Sequence, residues 1–421
     1  MQGEGAGFRA EGLESRHGAL RMIYLDWAAS APPEPEALDE ARSVALRYFA
    51  NPSAPHAAGR EAGEKLEAER TRFARLLGVE PREIFYTSGG TESNTSILLS
   101  TLDRHRLGGV ERQKARIVTT EIEHASVYEQ VKSLQGHGIA SIVVKPRADG
   151  TVDPQAIADA LDDDTVIVSV MLVNNETGAI QDIAEISRAV REFSGRKGRR
   201  ILLHTDMVQA LGKIPLALKE WGVDAASFSG HKIGAPRGIG ALYLRGASAP
   251  GFLAVGGGQE SGRRPGTENL AGIAALGVAI EGRLRHLEEN LAAARENERR
   301  IIEGVREIAG GWIFPMARAA GSDGRYSPWI VSLGFPPLPA EVAVRTAETA
   351  GFLVATGSAC SSKKKDRTRV PLAMGLSAEN AQSAIRVSTG PSTRPEDIDA
   401  FLGMLRSAIL PLVAVSRGVR R

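Results

Sequence analysis

The chain has one cysteine, Cys360, in the run Thr356-Gly357-Ser358-Ala359-Cys360-Ser361-Ser362, and far upstream carries Ser229-Gly230-His231-Lys232. A lone cysteine has no partner within its own chain, so its chemistry is that of a thiol. The polar residues around Cys360 suit an exposed loop better than a buried apolar position, the commonest fate of a free cysteine. The lysine supplies a second function. Lysine amines form Schiff bases with carbonyl cofactors, and a His-Lys pair flanked by Gly230 and Gly234 suits close approach to pyridoxal phosphate. A thiol nucleophile and a Schiff-base lysine together point to sulfur chemistry on an amino acid.

Other polar groups gather where apolar runs end. Ser88-Gly89-Gly90-Thr91-Glu92-Ser93 takes a strand through glycines to a helix start, where backbone N–H groups and the helix dipole favour a phosphate. A plain capped helix has the same signature. Asp206 in His204-Thr205-Asp206 is placed at a strand's carboxyl end, to hold a pyridine nitrogen protonated or to cap a helix. His124 is placed similarly, as a ring for stacking and proton transfer or as a hydrogen-bonded surface residue. Asn174-Asn175 closes the strongest apolar run. Arg386 lies inside an apolar strand-like segment and needs a carboxylate, either from the protein or from a substrate.

These groups require a frame of strands and helices. Apolar periodicity predicts a helix from His56 to Leu77 with Gly78 as its stop, and helix starts at Asp153-Pro154 and near Asp182. Short apolar runs predict strands at Ile84 to Thr87, Arg116 to Thr120, Ile139 to Lys145, Thr165 to Val173, Ile201 to Thr205, Ala225 to Phe228 and Ala241 to Leu244. Alternation of the two predicts an α/β fold with a mostly parallel central sheet covered on both faces, plus a smaller α/β domain. Gly277 to Ile308 reads as one long domain-connecting helix. The predicted organisation is an extension over 1–21, a segment over 22–35 that joins the small domain, a large domain over 36–280, and a connecting helix with a small domain over 281–421. Met22 is an equally acceptable start.

Composition narrows the partners. With 52 Lys plus Arg against 50 Asp plus Glu, no overall basic field draws in nucleic acid, and direct nucleic-acid binding is not expected. Uninterrupted apolar runs such as Thr165 to Val173 are about half the length of a bilayer span, so no membrane is expected. A working thiolate favours a reducing compartment, with the cytoplasm as the expected location.

Taken in order, these motifs resemble the cysteine desulfurases of the NifS/IscS type in the class V aminotransferase group. The resemblance runs from Tyr24 to about Leu402. It includes Asp26 with Ala28-Ala29, Asn51-Pro52-Ser53, Glu123-His124, Asn174 to Gly178, His204 to Gln209, Ser229 to Lys232, Gly256 to Glu260, Gly266-Thr267-Glu268-Asn269, Gly357 to Cys360 and Arg386. It implies the type I fold of pyridoxal 5'-phosphate enzymes, with Lys232 carrying the cofactor and serving as base, and Cys360 receiving sulfur as a persulfide. It also implies Asp206 on the ring nitrogen, Gln209 on the ring hydroxyl, His124 stacked on the ring and carrying the substrate thiol's proton, and Asn175 beside ring and substrate. The phosphate falls to Gly90, Thr91, Ser229 and His231, joined by Thr267 of a second copy in a homodimer, and the carboxylate of L-cysteine to Arg386. No metal is implied directly, although Cys360 is available for passing iron–sulfur ligation. A sulfur-acceptor protein, serving iron–sulfur assembly or tRNA thiolation, completes the set.

Two other functions fit the same motifs. A selenocysteine lyase or an aminotransferase of the same fold is separated by its product, selenide or a keto acid. A catalytically inactive cofactor-binding scaffold is separated by lack of turnover. The chain departs from the resemblance at Trp27, at Met207-Val208, and in the cationic tract Ser361-Ser362-Lys363-Lys364-Lys365-Asp366-Arg367-Thr368-Arg369.

Overall fold

The computed structural model describes residues 22–100, 114–247, 255–321, 324–357 and 368–418. Its strands are β1 (Ile23–Tyr24), β2 (Ile84–Thr87), β3 (Arg116–Thr120), β4 (Ala140–Val144), β5 (Thr165–Ser169), β6 (Leu202–Asp206), β7 (Ala225–Ser229), β8 (Gly240–Leu244), β9 (Trp312–Phe314), β10 (Ile330–Gly334), β11 (Phe352–Leu353) and β12 (Ala384–Ser388). Seven of them form the main sheet in the order β2-β8-β7-β6-β5-β3-β4, parallel except for β8, which runs antiparallel to β2 and β7. Alternate side chains point to opposite faces of a strand. Val118 and Val168 accordingly enter one core with Phe73 and Phe228, whereas their neighbours Ile117 and Ile167 enter a second with Phe85 and Leu242. Both faces are covered, which is why the central strands read as continuous apolar runs.

Local signals placed several helices well. The helix Ala57–Leu77 begins at His56, whose Nδ1 accepts from the Gly59 N–H at 3.1 Å, and ends at Gly78 with φ 67°. Asp153 and Asp182 likewise cap the helices Pro154–Ala160 and Ile183–Lys197. Two expectations are corrected. The continuous helix over Gly277 to Ile308 is two helices, Leu270–Arg285 and Leu287–Arg306, meeting at His286 with non-helical φ −111° and ψ 21°. The first is buried on nearly every side and the second on one, so the break lets the chain pass from one core to another. The strand over Thr165 to Val173 ends its paired ladder at Ser169; Val170 to Val173 remain buried, and the Val170 and Leu172 N–H groups still donate to the His204 and Asp206 carbonyls of β6 at 3.1 and 2.9 Å. Burial keeps a run apolar whether or not it continues a strand.

A third core holds Ile301, Ile302 and Val305 against the antiparallel sheet β9-β10-β12 and the helices that follow. Leu25, near the start of the described chain, inserts here, and β1 pairs in parallel with β11. The C-terminal helical run Pro395–Gly418 is long and apolar enough to cross a membrane by length and composition. Its Ile398, Phe401, Leu405 and Ile409 are buried in this core.

Arg318 ties the third core to the main sheet. It is fully buried and donates to Glu298 at 2.7 Å and to the carbonyls of Thr177, Ser327 and Ile330. Removing one partner of a buried pair leaves an uncompensated charge and costs about 3–5 kcal/mol. Arg318→Met is therefore expected to lose about that much stability in urea unfolding. A loss no larger than that of an exposed arginine substitution would show that Glu298 is readily neutralised.

Candidate active site

Because β2, β3, β5, β6 and β7 run parallel, their carboxyl ends share one edge of the sheet, where open α/β sheets bind ligands. The segments leaving those ends enclose a cavity of about 410 Å³. Gly90 and Thr91 reach it after β2, His124 after β3, Asn175 beyond β5, Asp206 and Gln209 at and after β6, and Ser229, His231 and Lys232 at and after β7. Arg386 enters from β12. These ten residues, 296 positions apart at the extremes, meet in one space. Thr267 is exposed and does not line the cavity, and Cys360 lies outside the described residues.

The β2 end is shaped for an anion. The helix Gly90–Leu99 opens at the cavity, and a Cβ on Gly90 would lie 2.6 Å from Cγ2 of Val208, so a side chain there would close the cradle. Glu92, also at the cavity, accepts from Nε of Arg264 at 2.9 Å and from the Ser88 N–H at 2.7 Å. Those contacts hold its carboxyl below the usual range against the opposing effect of burial and offset its repulsion of an incoming phosphate. Ser229 and His231 close the other side, and His231, with Ser30 Oγ 3.2 Å from its Nδ1, is kept neutral by burial, its pKa lowered to about 4.

Asp206 occupies the next strand end. Its Oδ2 accepts from Asn94 at 2.7 Å and its Oδ1 from the Val208 N–H at 2.9 Å. The same Asn94 amide donates to Ser126 Oγ at 2.8 Å, which leaves the Ser126 hydroxyl proton for His124 Nδ1, also at 2.8 Å. The Ser126 N–H points at that nitrogen too, so Nδ1 is the acceptor and Nε2 carries the proton. Burial, joined by Lys232, Arg369 and Arg386, pushes the His124 pKa down against the pull of Asp206, and the imidazole is neutral. His124 is hydrogen-bonded as the second reading expects, but it is half-buried rather than on the surface, capping the helix Ala125–Gln135 and lining the cavity.

Lys232 donates to the carbonyls of Ala28 and Ala29, each at 2.7 Å. Gln209 Nε2 shares the Ala28 carbonyl at 2.9 Å. Arg386 donates to Asp26 at 2.7 Å and to the Asn175 carbonyl at 3.0 Å, while its Nε is buried without a hydrogen-bond partner. The protein carboxylate of the first reading is therefore present in Asp26, and Arg386 also lines the cavity. The residues present fit pyridoxal phosphate: a glycine-lined anion cradle, a carboxylate and a lysine amine surround a cavity of ligand size.

Sequence reasoning passed over Asn94, Ser126 and Arg369, which support the groups it chose. Asn94 lies one turn beyond Thr91, and its burial beside Asp206 is visible only in the folded chain. Arg369, marked in the sequence only as the last residue of the cationic tract, donates to the carbonyls of Glu121 and Glu123 and clamps the segment before His124. Buried Glu123 sits behind this wall, its Oε1 accepting from Thr120 and Met171 and its Oε2 unpartnered. Burial pushes its pKa up from 4.5 to about 8. The folded state then holds a proton that the unfolded chain releases above its own pKa, so this contribution is full below about pH 4.5 and is lost as pH rises through 8. Glu123→Gln should flatten the fall in unfolding free energy between pH 5 and 8.5. Glu176, raised to about 7 by burial, acts in the same direction and preserves part of the slope. An unchanged slope in the variant would place the titration elsewhere.

A mostly parallel α/β sheet with a lysine, a carboxylate and an anion cradle at its carboxyl edge defines a cofactor-dependent transferase of the amino-acid type. The chain belongs to the aminotransferase class-V family, whose family model matches residues 23–401. That family uses pyridoxal phosphate. The chain is 33% identical over 403 residues to the cysteine desulfurase IscS of Dictyoglomus turgidum, covering 94% of this chain and 96% of that one. A solved NifS-like protein superposes with a TM-score of 0.82 at 31% identity, covering 93% of this chain and 100% of that one. SspA in complex with cysteine gives a TM-score of 0.72 at 30% identity, covering 87% and 99% respectively.

Proposed function

We propose that this enzyme is a cysteine desulfurase that converts L-cysteine to L-alanine and receives the sulfur on Cys360 as a persulfide. The observation that carries the reading is the meeting of Lys232, Asp206, His124 and Arg386 in one cavity with the glycine cradle of Gly90. When bound, pyridoxal phosphate supplies an electron sink for the bonds at the amino acid's α-carbon. Lys232 would carry it covalently, and its amine would move the substrate's α-proton. Asp206 pairs with the ring nitrogen, Gln209 with the ring oxygen, and His124 covers the ring and handles the proton of the substrate thiol. Gly90, Thr91, Ser229 and His231 hold the phosphate, joined by Thr267 of a second copy in a homodimer. Arg386 and Asn175 orient the substrate, and Arg386 exchanges part of its contact with Asp26 for the substrate carboxylate.

The two ends of the segment bearing Cys360 support its role. The described chain stops at Gly357, just after Ala355 has paired with Arg386 through bonds of 3.1 and 2.7 Å. It resumes at Thr368, and Arg369 is clamped to the segment preceding His124. The described residues on either side of the segment that carries Cys360 are thus bonded next to Arg386 and next to the segment before His124, and both Arg386 and His124 line the cavity. Its thiolate attacks the substrate sulfur, the S–S bond forming as the C–S bond breaks, and the carbon skeleton takes up a proton and leaves as alanine. The onward acceptor is a protein of iron–sulfur assembly or tRNA thiolation, and the cytoplasm is the fitting compartment for a thiolate.

The test is incubation of the purified, cofactor-loaded enzyme with L-cysteine, with alanine measured by chromatography and persulfide located by peptide mass spectrometry. Alanine matched by sulfur on Cys360 is expected. A keto acid, turnover confined to selenocysteine, or no turnover would favour an aminotransferase, a lyase or an inactive scaffold respectively.

A further inference from the structure

Lys213 lies outside the cavity lining and the sequence motifs assign it no role, yet it is 9 % exposed. Its Nζ donates to Oε1 of Gln209 at 2.7 Å, and the charges acting on it, those of Lys232, Arg283 and Arg386, are all cationic. Burying an amine without a carboxylate is costly, so the site must constrain something in return. What it constrains is an amide. The Ala28 carbonyl can only accept, so Gln209 must turn Nε2 toward it, and Oε1 then faces Lys213. Burial pushes the amine's pKa well down, but a neutral amine still has N–H groups, so the donation survives in either form. The Trp329 indole N–H, bonded to the Lys213 carbonyl at 2.8 Å, holds the backbone beneath it.

We propose that Lys213 is a positioning residue that locks the Gln209 amide, so that one Nε2 proton fixes the Ala28 carbonyl while the other is presented to the ring oxygen of the bound cofactor. The Ala28 carbonyl also accepts from Lys232. A single relay, from Lys213 through Gln209 to Ala28, therefore reaches both the ring oxygen and the amine that carries the cofactor. This inference rests on the cofactor reading of the cavity given above.

The test uses the loaded holoenzyme and its Lys213→Met, Gln209→Ala and double variants. A donor on the ring oxygen draws negative charge away from the protonated nitrogen of the lysine–cofactor bond. Without it that nitrogen keeps its proton to higher pH. Lys213→Met should move the pH midpoint of the visible absorption band upward by about half a unit to one unit, and weaken cofactor retention by up to about tenfold. Added to Gln209→Ala, it should change neither further. A folded Lys213→Met enzyme with the wild-type midpoint, or additive shifts in the double variant, would overturn the proposal. Should Lys213→Met fail to fold, a crystal structure of the wild-type holoenzyme decides: Gln209 bridging Lys213 and the ring oxygen upholds the relay, and a reversed amide or a turned-away Lys213 overturns it. Borohydride reduction of the wild type separates the two readings. Label absent from Lys232 refutes the cofactor site itself, whereas label present with no midpoint shift refutes only the relay.

Discussion

Lys232→Ala is expected to leave a folded protein that no longer holds pyridoxal phosphate covalently and that loses activity by at least about 10³-fold. General-base transfer by a positioned side chain contributes roughly 10²–10⁴-fold, and this substitution removes the covalent tether as well. The fold should survive because the amine donates to the carbonyls of Ala28 and Ala29 beside an open cavity, where water can take its place. Borohydride trapping with peptide mapping should label Lys232 in the wild type and no lysine in the variant. The informative competitor is Lys213, a buried amine whose pKa is pushed down by burial, one of the conditions that make a lysine nucleophilic. It stands behind Gln209 rather than in the cavity. A reduced cofactor on Lys213 would overturn the assignment.

Cys360→Ala should divide the chemistry into two halves. The cofactor should bind as in the wild type, and addition of L-cysteine should still change its absorption, because Lys232, Asp206 and Arg386 are untouched. Release of alanine should fall to background, since no thiolate remains to take the sulfur. Arg369, which follows the segment carrying Cys360 and clamps the chain before His124, adds a further expectation: Arg369→Ala should slow sulfur transfer while leaving cofactor absorption intact. Rapid-mixing absorbance with alanine quantification checks both variants. Turnover of cysteine by Cys360→Ala at the wild-type rate without an added thiol would exclude nucleophilic attack by this residue.

The sequence by itself determined the parts that depend on local spacing. Strands β2 and β3 are bounded as their apolar runs predict, and the helix after His56 starts and stops where a cap and a left-handed glycine put it. Lys232, Asp206, His124 and Gly90 were also legible, because a polar group at the end of an apolar strand is a local pattern and parallel strands share one carboxyl edge. Long-range contacts were decided only by the tertiary structure. The break at His286 follows from two cores lying in different directions, which helical periodicity does not encode. Asn94 matters because its helix packs over the end of β6, 112 positions downstream, and Arg386 meets Asp26 across 360 positions. The pairing of Lys213 with Gln209 is only four residues apart and still could not be read. Spacing brings two side chains within reach, but burial, which the surrounding fold imposes, makes that hydrogen bond hold an amide in one orientation.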